Sequence, residues 1–398
     1  MDELVFLMFP ILQFLELFCD LGFIDQLDKS EWEVISLKKK EKVGCLDLSW
    51  IKTMWKNEEG NQTAIKEFIL LGYGDQPELQ PLLLSLFLMI YILTLAGNFL
   101  IILLVVADQH LQTPMYYFLS NLSFLEICYS SVTLLKMLSN LITGERTISV
   151  SGCIAQLFFF GFFAAIETYL LAAMSYDRYL AICKPLHYAS IMHGKLCVKL
   201  MAGPCISSLL GNGIVAYLMA QISFCGPNVI DHYFCDLIPM EKLSCSDTSL
   251  IDLFAFLLCA LYTITPFLLT LMSYVCIIAT ILKIPSAIGR KKAFLTCSSH
   301  LTVVCIFYST IIIVYMLPAT LTLRDLNKVF SLFYTILTPL INPLIYSLRN
   351  KDVHKALRMV CSRWLFFVRS HLNLSRIRLN SSLSSMLKRQ SEVLRHSC

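Results

Sequence analysis

Charge is what this sequence has least of. Of 398 residues, 15% are Asp, Glu, Lys or Arg and 57% are hydrophobic, with a mean hydropathy of +0.67; that balance excludes an ordinary soluble protein of this size. No internal repeat runs through the chain, and one bundle domain fits its length. No nucleophile with a base, and no metal constellation, falls on facing apolar segments, which argues against an intramembrane enzyme. The formal charge of +4 sits mostly on loops and tail and gives no reason to expect nucleic acid.

What is present instead is a series of long apolar runs. A membrane-spanning helix needs about 20 mostly apolar residues, because lipid offers no partner to the backbone. Seven stretches qualify: 82–106, 115–139, 153–177, 197–219, 250–282, 293–317 and 326–348. Connections are short apart from residues 220–249. The expected fold is an all-α membrane protein, a seven-transmembrane helix bundle. On one side, the loops 177–196, 283–292 and 349–363 hold about twelve Lys and Arg, against about five on the other, so that side reads as cytoplasmic. Seven spans then place the N-terminus outside, where the sequon Asn61-Gln62-Thr63 would accept a glycan.

The ends read differently. Residues 4–18 have the apolar core of a signal peptide, but Asp2 and Glu3 precede it and no clear cleavage site follows, so an interfacial helix or unstructured extension is expected, with Met54 as an alternative start. After Arg349 the chain is rich in Ser, Lys and Arg, with Asp352 and Glu392 its only acids, as suits a segment beside anionic lipid. "KDVHKALRMVCSRWLFFV" reads as a short amphipathic helix after the seventh span, and disorder is expected beyond about residue 370. The domain expectation is therefore 1–56 as an extension, 57–357 as the bundle and 358–398 as a cytoplasmic tail.

Half of the sixteen cysteines lie within the spans, where a thiol acts as a small apolar group. Cys153, at the outer start of the third span, and Cys225, Cys235 and Cys245, in the long outer loop, lie where disulfides form. Three pairings are open to four cysteines. A metal site is not expected, because no His or Cys cluster at tight zinc spacing accompanies them.

Ionisable side chains at membrane depth are costly and mark function. Glu126 and Glu167 lie mid-span, and Asn98 follows Gly97 in the first. If helices one, two, three and seven adjoin, these and Asn342 form one polar cluster, in which two facing carboxylates share a proton or hold a cation such as Na+. Pro266, Pro318, Pro339 and Pro343 supply kinks to the last three spans.

Asp177 and Arg178 close the third span. Arg178 lies 25 residues beyond Cys153, about 37 Å along a helix, which carries a tilted span across the membrane to its inner mouth. Six pieces now stand in order: "GN" (97–98), "LQTPMYYFLSNLSFLE" (111–126), "MSYDRYLAICKPLHY" (174–188), "SYVCIIATILKIPSA" (273–287), "RKKAFLTCSSHLTVV" (290–304) and "PLINPLIYSLRNKDV" (339–353). In these the chain resembles the rhodopsin-like G-protein-coupled receptors and, within them, the olfactory receptors, over about residues 57–357. Gln112, Glu126, Ile288 and Leu295, and the run Ser175–Leu180, depart mildly from the family's usual residues; Glu126 is one methylene longer than the more common Asp.

The resemblance implies disulfides Cys153–Cys235 and Cys225–Cys245. It implies that Asp177 holds Arg178 at rest, beside Tyr179, and releases it to a heterotrimeric G protein when the sixth helix moves, with Tyr274, His300, Asn342, Pro343 and Tyr346 serving that change. Offsets from these anchors carry the family's ligand pocket onto Phe160, Gly161, Ala164 and Ala165, then Leu258 and Tyr262, then Tyr308, Ile311 and Tyr315, and finally Leu332 and Thr335. No charged anchor falls in that set, so the expected partner is a small, uncharged, volatile odorant. The rivals are a transporter or channel with Glu126 and Glu167 as relay, against which stands the lack of paired, interrupted halves, and a non-signalling product.

Overall fold

A computed structural model of the chain describes residues 65–73, 77–225, 227–316, 328–349, 353–360 and 362. The extension 1–56, the sequon at Asn61, nearly all of the tail and the side chain of Tyr346 lie outside the described residues.

Seven long helices follow: α1 (Gln80–Ala107), α2 (Pro114–Thr143), α3 (Val150–Cys183), α4 (Gly194–Ala220), α5 (Ser249–Leu282), α6 (Ala287–Ile311) and α7 (Thr338–Arg349). Among the described residues, six helical segments are long and apolar enough to cross a membrane; the seventh is α6, whose apolar part is the shorter His300–Tyr315 because its start carries Arg290 and Lys291. Local signals set the ends. Proline opens α2, Gly144 closes it in a left-handed conformation (φ 75°), and the Ser149 hydroxyl caps α3 by accepting from the Gly152 N–H at 3.0 Å.

Exposure shows which solvent the outside faces. Leu82 and Phe99 on α1 are each 63% exposed and have many apolar neighbours in the same state on α4 and α5, a surface that water would penalise and lipid does not. Helices α2 and α3 are mostly buried and form the centre. Helix α7 packs tightly on α1 because Gly97 faces the Pro343 ring; a Cβ there would lie 3.1 Å from it. Residues 353–360 form the helix expected after the seventh span, with Val353 and Ala356 buried.

Two features depart from the sequence expectation. Helix α3 continues to Cys183, so Asp177 and Arg178 stand inside it rather than at its end; a helix that has left the lipid no longer needs apolar residues to persist. The outer side also carries a three-stranded sheet, with β1 (Glu67–Leu70) between β2 (Thr147–Ser149, antiparallel) and β3 (Val229–Ile230, parallel). Phe68 and Leu70 point inward and pack with Ile148, Met219, Ile230 and Met240. This lid has a core of its own, and the disulfides Cys153–Cys235 and Cys225–Cys245 staple it.

Candidate functional site

Beneath the lid lies a cavity of about 140 Å³. Eight of the expected residues line it: Phe160, Gly161, Ala164 and Ala165 on α3, Leu258 and Tyr262 on α5, Ile311 at the end of α6, and Tyr315 in the π turn Ile312–Met316 that follows it. Tyr308, Leu332 and Thr335 do not. The Tyr308 hydroxyl donates to the Thr168 carbonyl at 2.8 Å. Thr335 is buried against the lid, 2.7 Å from the Tyr233 hydroxyl. For these last two positions the cause is local: Phe333–Leu337 is a π turn, whose extra residue turns everything before it out of the α-helical phase counted back from Pro343. Tyr334 takes the lining position instead.

The expectation of a wall free of charge is corrected by Asp236 of the lid. This side chain is buried and lines the cavity. It accepts from the Leu237 N–H at 2.8 Å and from the Tyr315 hydroxyl at 3.1 and 3.2 Å on its two oxygens. Burial pushes the carboxyl up from 3.8 to about 6, while the Leu237 N–H and the Tyr315 hydroxyl pull it back. A carboxyl raised in the folded state favours folding most below its unfolded value and loses that contribution as pH rises through the folded one. The thermal stability of wild type relative to Asp236→Asn should therefore fall between about pH 4 and pH 6; a pH-independent difference in a melting series would remove Asp236 as the titrating group.

Gln156 is a second residue that the sequence did not flag. Fully buried on α3, it donates to the Val132 carbonyl of α2 at 2.7 Å and accepts from the Cys235 N–H at 2.9 Å. It thus holds the lid's disulfide to two helices. Phe234, next to that cystine, packs on Phe160 with tilted rings and centroids 4.7 Å apart. The lid therefore bears directly on the cavity wall.

Deeper in the bundle, Asn342 donates to the Glu126 carboxylate, and Asn98 donates to the Pro339 and Thr94 carbonyls, each at 3.1 Å. Glu167 is buried on α3 within electrostatic reach of Glu126. Among the described residues, neither Glu167 oxygen nor Glu126 Oε2 has a hydrogen-bond partner. Two carboxylates with open lone pairs suit a shared proton or a monovalent cation. No cluster of three His, Cys, Asp or Glu able to hold a metal occurs among the described residues.

At the inner mouth, buried Asp177 accepts from the Tyr188 hydroxyl at 2.8 Å and lies within electrostatic reach of Arg178. Tyr179 stacks on Tyr176, and the Lys184 ammonium sits 5.9 Å from the Tyr179 ring centre. Tyr274 on α5 and His300 on α6 meet hydroxyl to Nδ1 at 2.7 Å.

The family model for olfactory receptors matches residues 87–363. Olfactory receptor 1E16 of Mus musculus and Olfactory receptor 1 of Rattus norvegicus are each 48% identical over 306 residues, covering 77% of this chain and 98% of the relative. Olfactory receptor 1M1 of Homo sapiens is 46% identical over the same shares.

Proposed function

The chain belongs to the olfactory receptor family of multi-pass membrane signalling receptors, which are not enzymes, and from that premise we propose that a small volatile odorant binds the cavity under the lid and activates a stimulatory, olfactory-type G protein that raises cAMP. The receptor domain is residues 57–357, set in the plasma membrane with its N-terminus outside. The observation that carries this reading is the cavity's position: its walls include α3, α5 and α6, the helices whose inner parts bear Arg178, Tyr274 and His300.

Size and chemistry support the ligand class. A cavity near 150 Å³ lined by apolar side chains accommodates a benzene-sized molecule, and this one is about 140 Å³. Asp236 does not by itself demand a cation, since both its oxygens already accept from Tyr315. An amine ligand is the second reading, favoured by that same carboxylate.

Activation follows population shift. A ligand that touches α6 at Ile311 and Tyr315 biases the helix only as far as it binds the displaced arrangement better. The Tyr274–His300 contact would yield as α6 moves, opening the mouth beside Arg178. Na+ between Glu126 and Glu167 would favour the resting arrangement.

A cAMP-reporter screen against an odorant panel tests the proposal, with neutral compounds and amines as separate arms. Neutral agonists should raise the signal, and Tyr262→Ala and Tyr315→Phe should each shift their dose–response curves by about tenfold, the worth of one hydrogen bond or ring contact. Unchanged curves would remove both residues from the site, and a response confined to amines would replace the neutral-ligand reading. Surface levels of the full chain and of a chain starting at Met54 separate a working receptor from a product that fails to leave the secretory pathway.

A further inference from the structure

The cavity has one wall that the family offsets never reached. Helix α4 contributes Asn212, an uncharged polar side chain in the outer half of a membrane helix. Its amide orientation is fixed by its partners. Asn212 Nδ2 donates to the Ser208 carbonyl at 3.0 Å and to the Ser208 hydroxyl oxygen at 3.1 Å. That hydroxyl has already given its proton to the Phe162 carbonyl on α3, at 2.9 Å. Both Ser208 oxygens therefore act as acceptors, and an inverted amide would set oxygen against oxygen.

The amide oxygen is thereby turned toward α3. It lies over Gly161, so close that a Cβ at that position would collide with it as it stands. Among the described residues Asn212 Oδ1 accepts no hydrogen bond, and both Gly161 and Asn212 line the cavity. A fixed acceptor in the wall of a largely apolar cavity lacks only a donor.

We propose that Asn212 Oδ1, held by Ser208 over Gly161, is the hydrogen-bond acceptor that makes this cavity select ligands carrying a single neutral donor, an alcohol or a phenol, over isosteres whose oxygen has no proton. The inference rests on the cavity being the ligand site and adds the functional group it reads. Asp236 is the other acceptor in the wall, but Tyr315 and the Leu237 N–H already engage it.

The test uses the full chain in lipid nanodiscs with phenol and its methyl ether, anisole, as probes, read by thermal shift and by dissociation constant. Wild type should bind phenol about tenfold more tightly relative to anisole. Asn212→Leu should bring that ratio near one; membrane partitioning of the probes cancels in the comparison. Should Asn212→Leu fail to fold, Ser208→Ala, which frees the amide to rotate, should lower the ratio in the same direction. A ratio unchanged in either folded variant, equal binding of both probes to wild type, or no binding of either overturns the proposal. The cAMP reporter separates the two readings: probe discrimination at Asn212 without a signal from any alcohol would refute the signalling function and leave the acceptor site standing.

Discussion

Cys235→Ser is expected to remove the receptor from the cell surface. The Cys153–Cys235 bridge spans 82 residues, and opening a loop of that length costs about 4–5 kcal/mol, a large share of the 5–15 kcal/mol that holds a typical domain folded. The loss is also local to function. Cys235 lies between Phe234, which packs on Phe160, and Asp236, which meets Tyr315, and its N–H is bound by Gln156. Cys245→Ser opens a loop of only 20 residues, worth about 3 kcal/mol, away from the cavity wall. The ratio of surface to total receptor should therefore drop to background for Cys235→Ser and only partly for Cys245→Ser. Equal, mild losses would mean that the lid is held by its apolar core rather than by the bridge to α3.

Glu126→Leu is expected to lower agonist potency by tenfold or more in receptors that still reach the surface. Glu126 is fully buried and accepts from Asn342, so its loss strands the Asn342 amide next to α1, where Asn98 holds the Pro339 carbonyl. A buried donor without a partner costs about 1–3 kcal/mol, enough to shift a two-state equilibrium by one to two decades. Glu126→Gln keeps an acceptor oxygen and should retain most of the potency. If Na+ sits between the carboxylates, raising Na+ should weaken agonist potency in wild type, and Glu167→Gln should abolish that dependence. A Glu126→Leu receptor with wild-type potency would reduce the cluster to packing.

Hydropathy made the seven helices legible because lipid imposes one rule on every spanning backbone. Their ends were less legible: α3 runs on through Asp177 and Arg178 to Cys183, since nothing in the aqueous phase stops a helix that is already formed. The lid sheet, with strands of two to four residues, is too short for an alternating pattern to stand out. In the cavity, offsets reached the lining on α3, on α5 and at Ile311 and Tyr315, although Tyr315 lies in a π turn of its own, Ile312–Met316; they missed it at Tyr308, within continuous α6, and at Leu332 and Thr335, where a second π turn intervenes. Asp236 and Gln156 were missed because the contacts that define them join residues far apart in the chain. Asn212 left one faint sign in the sequence, an amide side chain within a membrane span.

The central claim is that occupation of the space under the lid drives a G protein. Purified receptor in nanodiscs with heterotrimeric stimulatory G protein, assayed for nucleotide exchange with an agonist from the screen, tests it directly, with Ala164→Trp as the cavity-filling variant. Agonist should accelerate exchange on wild type several-fold and leave Ala164→Trp at its basal rate with the helices intact. Agonist-dependent ion or solute flux without any change in exchange, or equal acceleration by the filled variant, would contradict the account.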